Sequence, residues 1–267
     1  MKALSCLRCF LILTGLCLAA ACRVTGDADA QPEFTREPEY RVDLFEERSP
    51  ADGTPAFGLW LERRELSACA GYGVDAAVGM QGNDIQVTIL GVLPPPAPCS
   101  GDSAPARQFV PLGNLADGNY GFTLSLRDVV TNQGSLTVSQ GHYVLSLPDA
   151  QGVIVQNFVL ETMPAGIVWG YAATPDEMVQ PVADNFIADL KTLTGDDGLA
   201  PGFYSYFTVS GTGDFIFHER SAPAGPANLF VRRLTASPDA LKGLLQNYRD
   251  ASQQPLQIKC WTTEGEL

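Results

Sequence analysis

The sequence predicts two folded regions, an all-β antiparallel sandwich and then a two-layer α+β domain, set behind a leader and an acidic stalk. Three observations predict this order. An uncharged run from Cys9 to Ala21 follows the basic residues Lys2 and Arg8 and ends in small side chains. Residues 53–163 carry short alternating runs broken by Gly, Pro and Asn, with no helix-period segment among them. From residue 164 onward, similar runs alternate with two stretches of helical periodicity.

The leader comes first. A basic start followed by an apolar run too short to span a bilayer is the pattern of a secretory signal peptide, here residues 1–21. At its end, Leu18-Ala19-Ala20-Ala21-Cys22 resembles the lipobox of bacterial lipoproteins, with Ala19 where leucine is more usual. The resemblance implies cleavage before Cys22 and a diacylglycerol on its thiol. The protein would then be exported and held in the bacterial cell envelope, at the outer membrane or cell surface, by its N-terminal lipid. Ordinary secretion, with a cut after Ala28-Asp29-Ala30, is the alternative.

Residues 22–52 read as an acidic, proline-containing tether, because like charges extend a chain that has few apolar side chains to bury. Tyr40, Val42, Leu44 and Phe45 are the exception and can form a short strand. The whole chain has 17 basic and 30 acidic residues, a net charge of −13. Loss of Lys2 and Arg8 with the leader leaves 15 basic against the same 30 acidic, a charge of −15. Such a surface repels phosphates, so nucleic acid is excluded as a partner.

In residues 53–163 the strands are expected over 57–61, 72–78, 85–89, 107–110, 120–126, 135–138, 143–147 and 153–160. The clearest is Ile85-Gln86-Val87-Thr88-Ile89, which alternates strictly after the turn signal Gly82-Asn83-Asp84. Pro94-Pro95-Pro96 and Asn132-Gln133-Gly134 are read as breaks. Asp117-Gly118-Asn119-Tyr120 resembles the tyrosine corner of immunoglobulin-like sandwiches. That resemblance implies an Ig-like or fibronectin-like sandwich, with the Tyr120 hydroxyl bonded back to the main chain. Of seven cysteines, Cys6, Cys9 and Cys17 leave with the leader and Cys22 is the lipidation site. Cys69 and Cys99 pair as a disulfide in an oxidising compartment, and Cys260 is left as a buried thiol.

Residues 164–267 open with a strand at Ile167-Val168-Trp169-Gly170-Tyr171. Thr174-Pro175-Asp176-Glu177 starts a helix whose apolar stripe includes Phe186, Ile187, Leu190 and Leu193, and Gly195 ends it. Strands follow over 203–209, 215–218 and 229–234. A second helix from Ser237-Pro238 shows Leu241, Leu244, Leu245 and Tyr248 at i, i+3, i+4, i+7, and a last strand covers 256–261. The order β-α-β-β-(β)-α-β is that of a ferredoxin-like sandwich with one extra strand, which also admits a profilin-like arrangement.

No residue set amounts to a catalytic site, a metal site or a cofactor site. Gly101-Asp102-Ser103 is similar to a serine-protease nucleophile segment, but His142 and His218 lie on the wrong side of it in the chain. Gly71-Tyr72-Gly73-Val74-Asp75-Ala76 has the letters of a dinucleotide fingerprint without the helix that makes it work. Two histidines and no closely spaced cysteines give no zinc pattern. Alternation in 203–209 instead puts Tyr204, Tyr206 and Thr208 on the face away from the helices. His218, Arg232 and Trp261 are expected to join that face. These aromatics either pack on the sandwich or a second copy, or form a platform for a protein or glycan partner. The sequence therefore predicts a non-catalytic envelope lipoprotein with a binding or structural role. An inhibitor or immunity-type protein is a second reading, and an enzyme using His218 with a nearby carboxylate a third, which a pocket holding His218, Asp214 and Glu219 together would favour.

Overall fold

Strands predominate in the computed structural model, which describes residues 37–48, 55–99, 101–127, 129–174, 180–218, 221–223, 225–251 and 256–267. The leader and Cys22 lie outside these residues. Among the described residues the strands form four sheets and are joined by two helices.

The first sheet runs β5 (Ala104–Pro111), β2 (Pro55–Ser67), β1 (Tyr40–Arg48), β9 (Val153–Val155). The second runs β10 (Val159–Glu161), β8 (His142–Ser146), β7 (Val130–Ser139), β6 (Gly118–Leu126), β4 (Asp84–Leu93), β3 (Gly73–Gln81). Their inward side chains meet in one core: Val42, Leu44, Leu59 and Leu61 from the first, Ile85, Val87, Ile89, Phe122 and Leu124 from the second. Period-2 alternation explains this, since it places one apolar row per strand on the shared side.

Several expectations need correction here. The short strand expected at Tyr40–Phe45 within the tether is present and runs on to Arg48: β1 pairs with β2 along all nine of its residues and with β9 on its other side, so residues 40–48 are not tether. The tether reading failed because acidic Asp43, Glu46 and Glu47 sit among apolar residues of a strand whose polar groups find partners far along the chain. The sheets are also not wholly antiparallel. Strands β4 and β6 pair in parallel, because β5 crosses to the other sheet between them, and β1 pairs in parallel with β9. Asn132-Gln133-Gly134 is no break but the middle of β7. Gly134 is needed there because a Cβ would strike the Ser146 carbonyl on β8. The expected strand over 153–160 is two strands, β9 and β10, one in each sheet.

The third sheet runs β12 (Thr194–Gly195), β16 (Ala227–Leu234), β11 (Ile167–Ala173), β17 (Gln257–Thr262), β18 (Gly265–Glu266), with every neighbouring pair antiparallel. Helices α1 (Gln180–Leu193) and α2 (Pro238–Ala251) cover one face, packing Phe186, Leu190, Leu241 and Leu245 on Val168, Phe230, Ile258 and Cys260. Of the expected α1 start signal, residues 175–177 lie outside the described residues. The other face carries Ile167, Trp169 and Val231, and it is covered as well. Its cover is a small sheet of β13 (Gly202–Phe203), β14 (Phe207–Val209) and β15 (Phe215–Phe217), contributing Tyr204, Phe207 and Val209. The runs 203–209 and 215–218, expected to join the helix-covered sheet, are thus a separate layer. Residues Arg36–Leu267 form one compact unit.

Cys69 and Cys99 are bridged, with their Cα atoms 5.8 Å apart across a sequence separation of 30. Closing a loop of that length stabilises the fold by about 3–4 kcal/mol in the chain-entropy treatment. Cys260 is free and fully buried, and burial pushes its thiol up to about 12. A thiol held protonated in this way is a packing group, not a nucleophile.

Candidate functional site

The small third layer meets the first sheet at a seam, and the seam is built by one turn. Ser205 has φ of 66°, in the left-handed region, which ends strand alternation between β13 and β14. The chain therefore folds back there, with Tyr204 N–H donating to the Phe207 carbonyl at 2.9 Å. Tyr204 and Tyr206 consequently do not share an outward face. Tyr204 is 4% exposed, lies against Phe207, and donates its hydroxyl to the Ala200 carbonyl at 3.0 Å. Tyr206 inserts between Phe45 of β1, at 5.4 Å between ring centres, and Trp169 of β11, at 5.2 Å.

Two hydrogen bonds fasten the turn to β1. Ser205 Oγ accepts the Glu46 N–H at 2.8 Å, and the Tyr206 hydroxyl oxygen accepts the Arg48 N–H at 3.1 Å. Side chains of β1 continue the network. Glu46 pairs with Arg48, and its other oxygen accepts the Met163 N–H at 3.0 Å. Arg48 donates from Nη1 to the Thr263 carbonyl at 2.7 Å and from Nη2 to the Met163 carbonyl at 3.2 Å. Burial pushes the Glu46 carboxyl up, opposed by Arg48 and by the Met163 amide. Asp43 is also raised by burial, opposed by the Asn157 and Gln156 amides and by Arg41. Its Oδ1 accepts those two N–H groups at 2.8 and 3.1 Å. Glu62 lies between Arg107 at 2.7 Å and Arg41 at 3.4 Å.

Clefts open on the two sides of this seam. One of about 400 Å³ is lined by Glu46, Arg48, Phe57, Tyr143, Thr162 and Met163, among others. The other, about 120 Å³, includes Arg41, Asp43, Trp60, Glu62, Arg107 and His218. His218 is half-buried, its Nε2 is 2.9 Å from Thr208 Oγ1, and burial lowers its pKa. Asp214, offered as its partner, instead accepts from the Thr212 hydroxyl at 2.6 Å within its own turn, and Glu219 lies outside the described residues.

The expected platform is divided by this geometry. Arg232 has the parity of Phe230 and lies on the helix side of the sheet, where its Nε donates to Thr194 Oγ1 at 2.7 Å. Trp261 is on the opposite side and meets Tyr171 at 6.1 Å between ring centres. Tyr204, Tyr206 and Trp261 belong to one apolar cluster between the third sheet and the small layer, whereas His218 lies against Phe203. Asp43, Glu46 and Arg48, whose acidic and proline-containing surroundings predict a tether, are the polar centre of the seam. Their one local signal is the alternation Tyr40, Val42, Leu44. The Tyr120 hydroxyl does bond back to the main chain, donating to the Ala116 carbonyl at 2.9 Å. Among the described residues, no cluster of three or more His, Cys, Asp or Glu side chains is placed to hold a metal ion. No protein family, curated protein or solved structure matches this chain.

Proposed function

We propose that this chain is an exported, lipid-anchored protein of the bacterial cell envelope whose role is to bind or brace a partner without chemistry of its own. The observation that carries this reading is the state of the seam carboxylates. Asp43 and Glu46 accept main-chain amides from distant segments, so their charge is spent on holding the fold. General acid–base work needs such groups free to exchange protons with a bound molecule. Export is supported by the Cys69–Cys99 bridge, which persists in oxidising compartments, and the anchor by the lipobox-like run ending at Cys22.

The finer architecture belongs to the same reading. We take the first two sheets as a β-sandwich of Ig-like or fibronectin-like kind, supported by their shared core and the Tyr120 hydrogen bond. We take the third sheet as ferredoxin-like. The order β17-β11-β16-β12, antiparallel throughout with two helices on one face, supports it, and β13–β15 are then an insertion before β16.

An intact mass of the mature protein, made in a bacterial host without reductant, tests the anchor. The expected mass starts at Cys22 and carries acyl chains, with one cysteine alkylated only after denaturation. A lipid-free mass starting at Gln31 would overturn the anchored reading. The enzyme alternative keeps one supporting observation, His218 in a cleft that also holds Asp43 and Glu62. The inhibitor alternative would be singled out by a tight complex with an envelope enzyme in pull-downs.

A further inference from the structure

Among the described residues, strand β3 ends the six-stranded sheet with no strand beyond it, and its second half lacks the usual protection of such an edge. Residues 76–83 read Ala-Ala-Val-Gly-Met-Gln-Gly-Asn, without a charge, in a chain of net charge −13. Natural edges are guarded by lysine, proline or a bulge, and here the one bulge falls earlier, between Asp75 and Ala76. The face of this half-strand that points toward the core is also uncovered. Val78 pairs with Val87 and Met80 with Ile85, so each shares a side of the sheet with a residue only 1% exposed. Yet Val78 is 41% and Met80 50% exposed. The cause is the unequal width of the sheets. The first has four strands against six, and its edge strand β5 meets this region at Tyr72, where Arg107 N–H donates to the Tyr72 carbonyl at 3.1 Å. Beyond that point β3 overhangs.

We propose that the overhanging edge of β3 pairs antiparallel with the same edge of a second copy of this chain, joining two six-stranded sheets across a two-fold axis near Gly79. Centred there, Val78 of one copy lies opposite Met80 of the other, and the exposed aliphatic pairs cover each other. Gly79 has nothing within 4 Å of where a Cβ would stand, which leaves room for a close main-chain approach. The flanking Asp75 falls opposite Asn83 and not opposite another carboxylate. Charge selects the occupant: two copies of so acidic a chain repel over most of their surfaces and can meet only along a neutral strip, whereas a basic partner would be drawn to the acidic surface elsewhere. The inference is independent of the lipid anchor.

Sedimentation equilibrium on the mature chain carrying Cys22→Ser, with hydrogen exchange of residues 76–81 in parallel, tests it. The contact is small, so a Kd of about 10–100 μM is expected. Raising the salt from about 50 to about 500 mM should tighten it severalfold, because screening removes the general repulsion. Amides of 76–81 should gain protection with protein concentration. Val78→Lys should give a monomer with unchanged melting, and Met80→Lys serves the same purpose if the first variant does not fold. A wild-type chain that stays monomeric, a dimer that either lysine leaves intact, or a dimer weakened by salt would overturn the proposal. Failure here leaves the envelope-binding reading standing, since that rests on the mass and the partner search.

Discussion

Strands β1 and β11 occupy comparable positions in the two halves of the molecule and solve the same problem with different side chains. Each is an interior strand covered on both faces, with β13–β15 supplying one of the covers. Strand β11 meets this with an unbroken apolar run, Ile-Val-Trp-Gly-Tyr-Ala-Ala, buried along nearly its whole length. Strand β1 keeps Asp43, Glu46 and Arg48, and each makes hydrogen bonds to segments more than a hundred residues away, with Arg48 Nε the one buried atom of the three left without a partner. The difference teaches that burial on both faces does not require an apolar strand, provided distant backbone supplies the partners. It also explains why β11 is legible in the sequence as a full strand, whereas β1 is legible only as a short strand at Tyr40–Phe45.

The largest way to break this comparison is to remove the side chain that the covering layer grips. Trp169→Ala should cost about 3–5 kcal/mol, as large-to-small changes at a fully buried aromatic do. Urea titration followed by circular dichroism should show one displaced transition. Two separated transitions would mean that the halves do not share stability through the seam. The paired change Cys69→Ser with Cys99→Ser acts on the first half alone and should cost about 3–4 kcal/mol. If that loss also lowers the unfolding midpoint reported by Trp169 fluorescence, read with Trp60→Phe and Trp261→Phe in the background, the coupling runs in both directions. A Trp169 midpoint left in place would confine the effect to the first half.

Ser205→Ala sharpens the comparison more gently. It leaves the buried Glu46 N–H without its acceptor, at a cost of about 1–3 kcal/mol. Ser205→Gly makes the same deletion but relieves the left-handed backbone, so it should be the milder of the two. Equal losses would show that the hydrogen bond, not the turn conformation, holds the seam.

The smallest effect concerns pH. Burial lowers the folded-state pKa of His218 below its ordinary 6.5. Its stabilising contribution is therefore complete above that value and is lost as the pH falls through the folded pKa. His218→Gln removes this loss. Between about pH 7.5 and about pH 5, wild type should lose ground to the variant in urea midpoint. A difference that stays flat over that range would show that the ring is not desolvated.

What the sequence disclosed depended on how local the deciding interaction was. Strand β4 alternates within five residues, α2 carries its stripe within eight, and the Cys69–Cys99 pair follows from compartment and position; all were readable. Strand β7 was misread at Asn132-Gln133-Gly134 because these residues look like a turn. Asn132 instead bonds the Leu124 and Gln151 carbonyls and accepts the Gln151 N–H, and Gly134 yields space to β8. Such duties are set by neighbours that one-dimensional pattern does not reveal. The run 203–209 reads as one strand because six of its seven side chains are aromatic or β-branched. The φ of a single serine overrode that propensity. The division of the expected platform follows directly, since alternation cannot be carried through a left-handed residue.

The bond from Glu46 to Ser205 spans 159 positions of the chain, and that from Arg48 to Tyr206 spans 158. During synthesis β1 is made early, whereas the layer that covers its outer face follows only after most of the protein. Closing so long a loop is slow, and until it closes the Asp43–Phe45 side of the strand has no cover. Nascent chains of this protein should therefore pass through a stage in which the first sheet has formed but remains sticky on that side, the stage at which a holding chaperone would matter most.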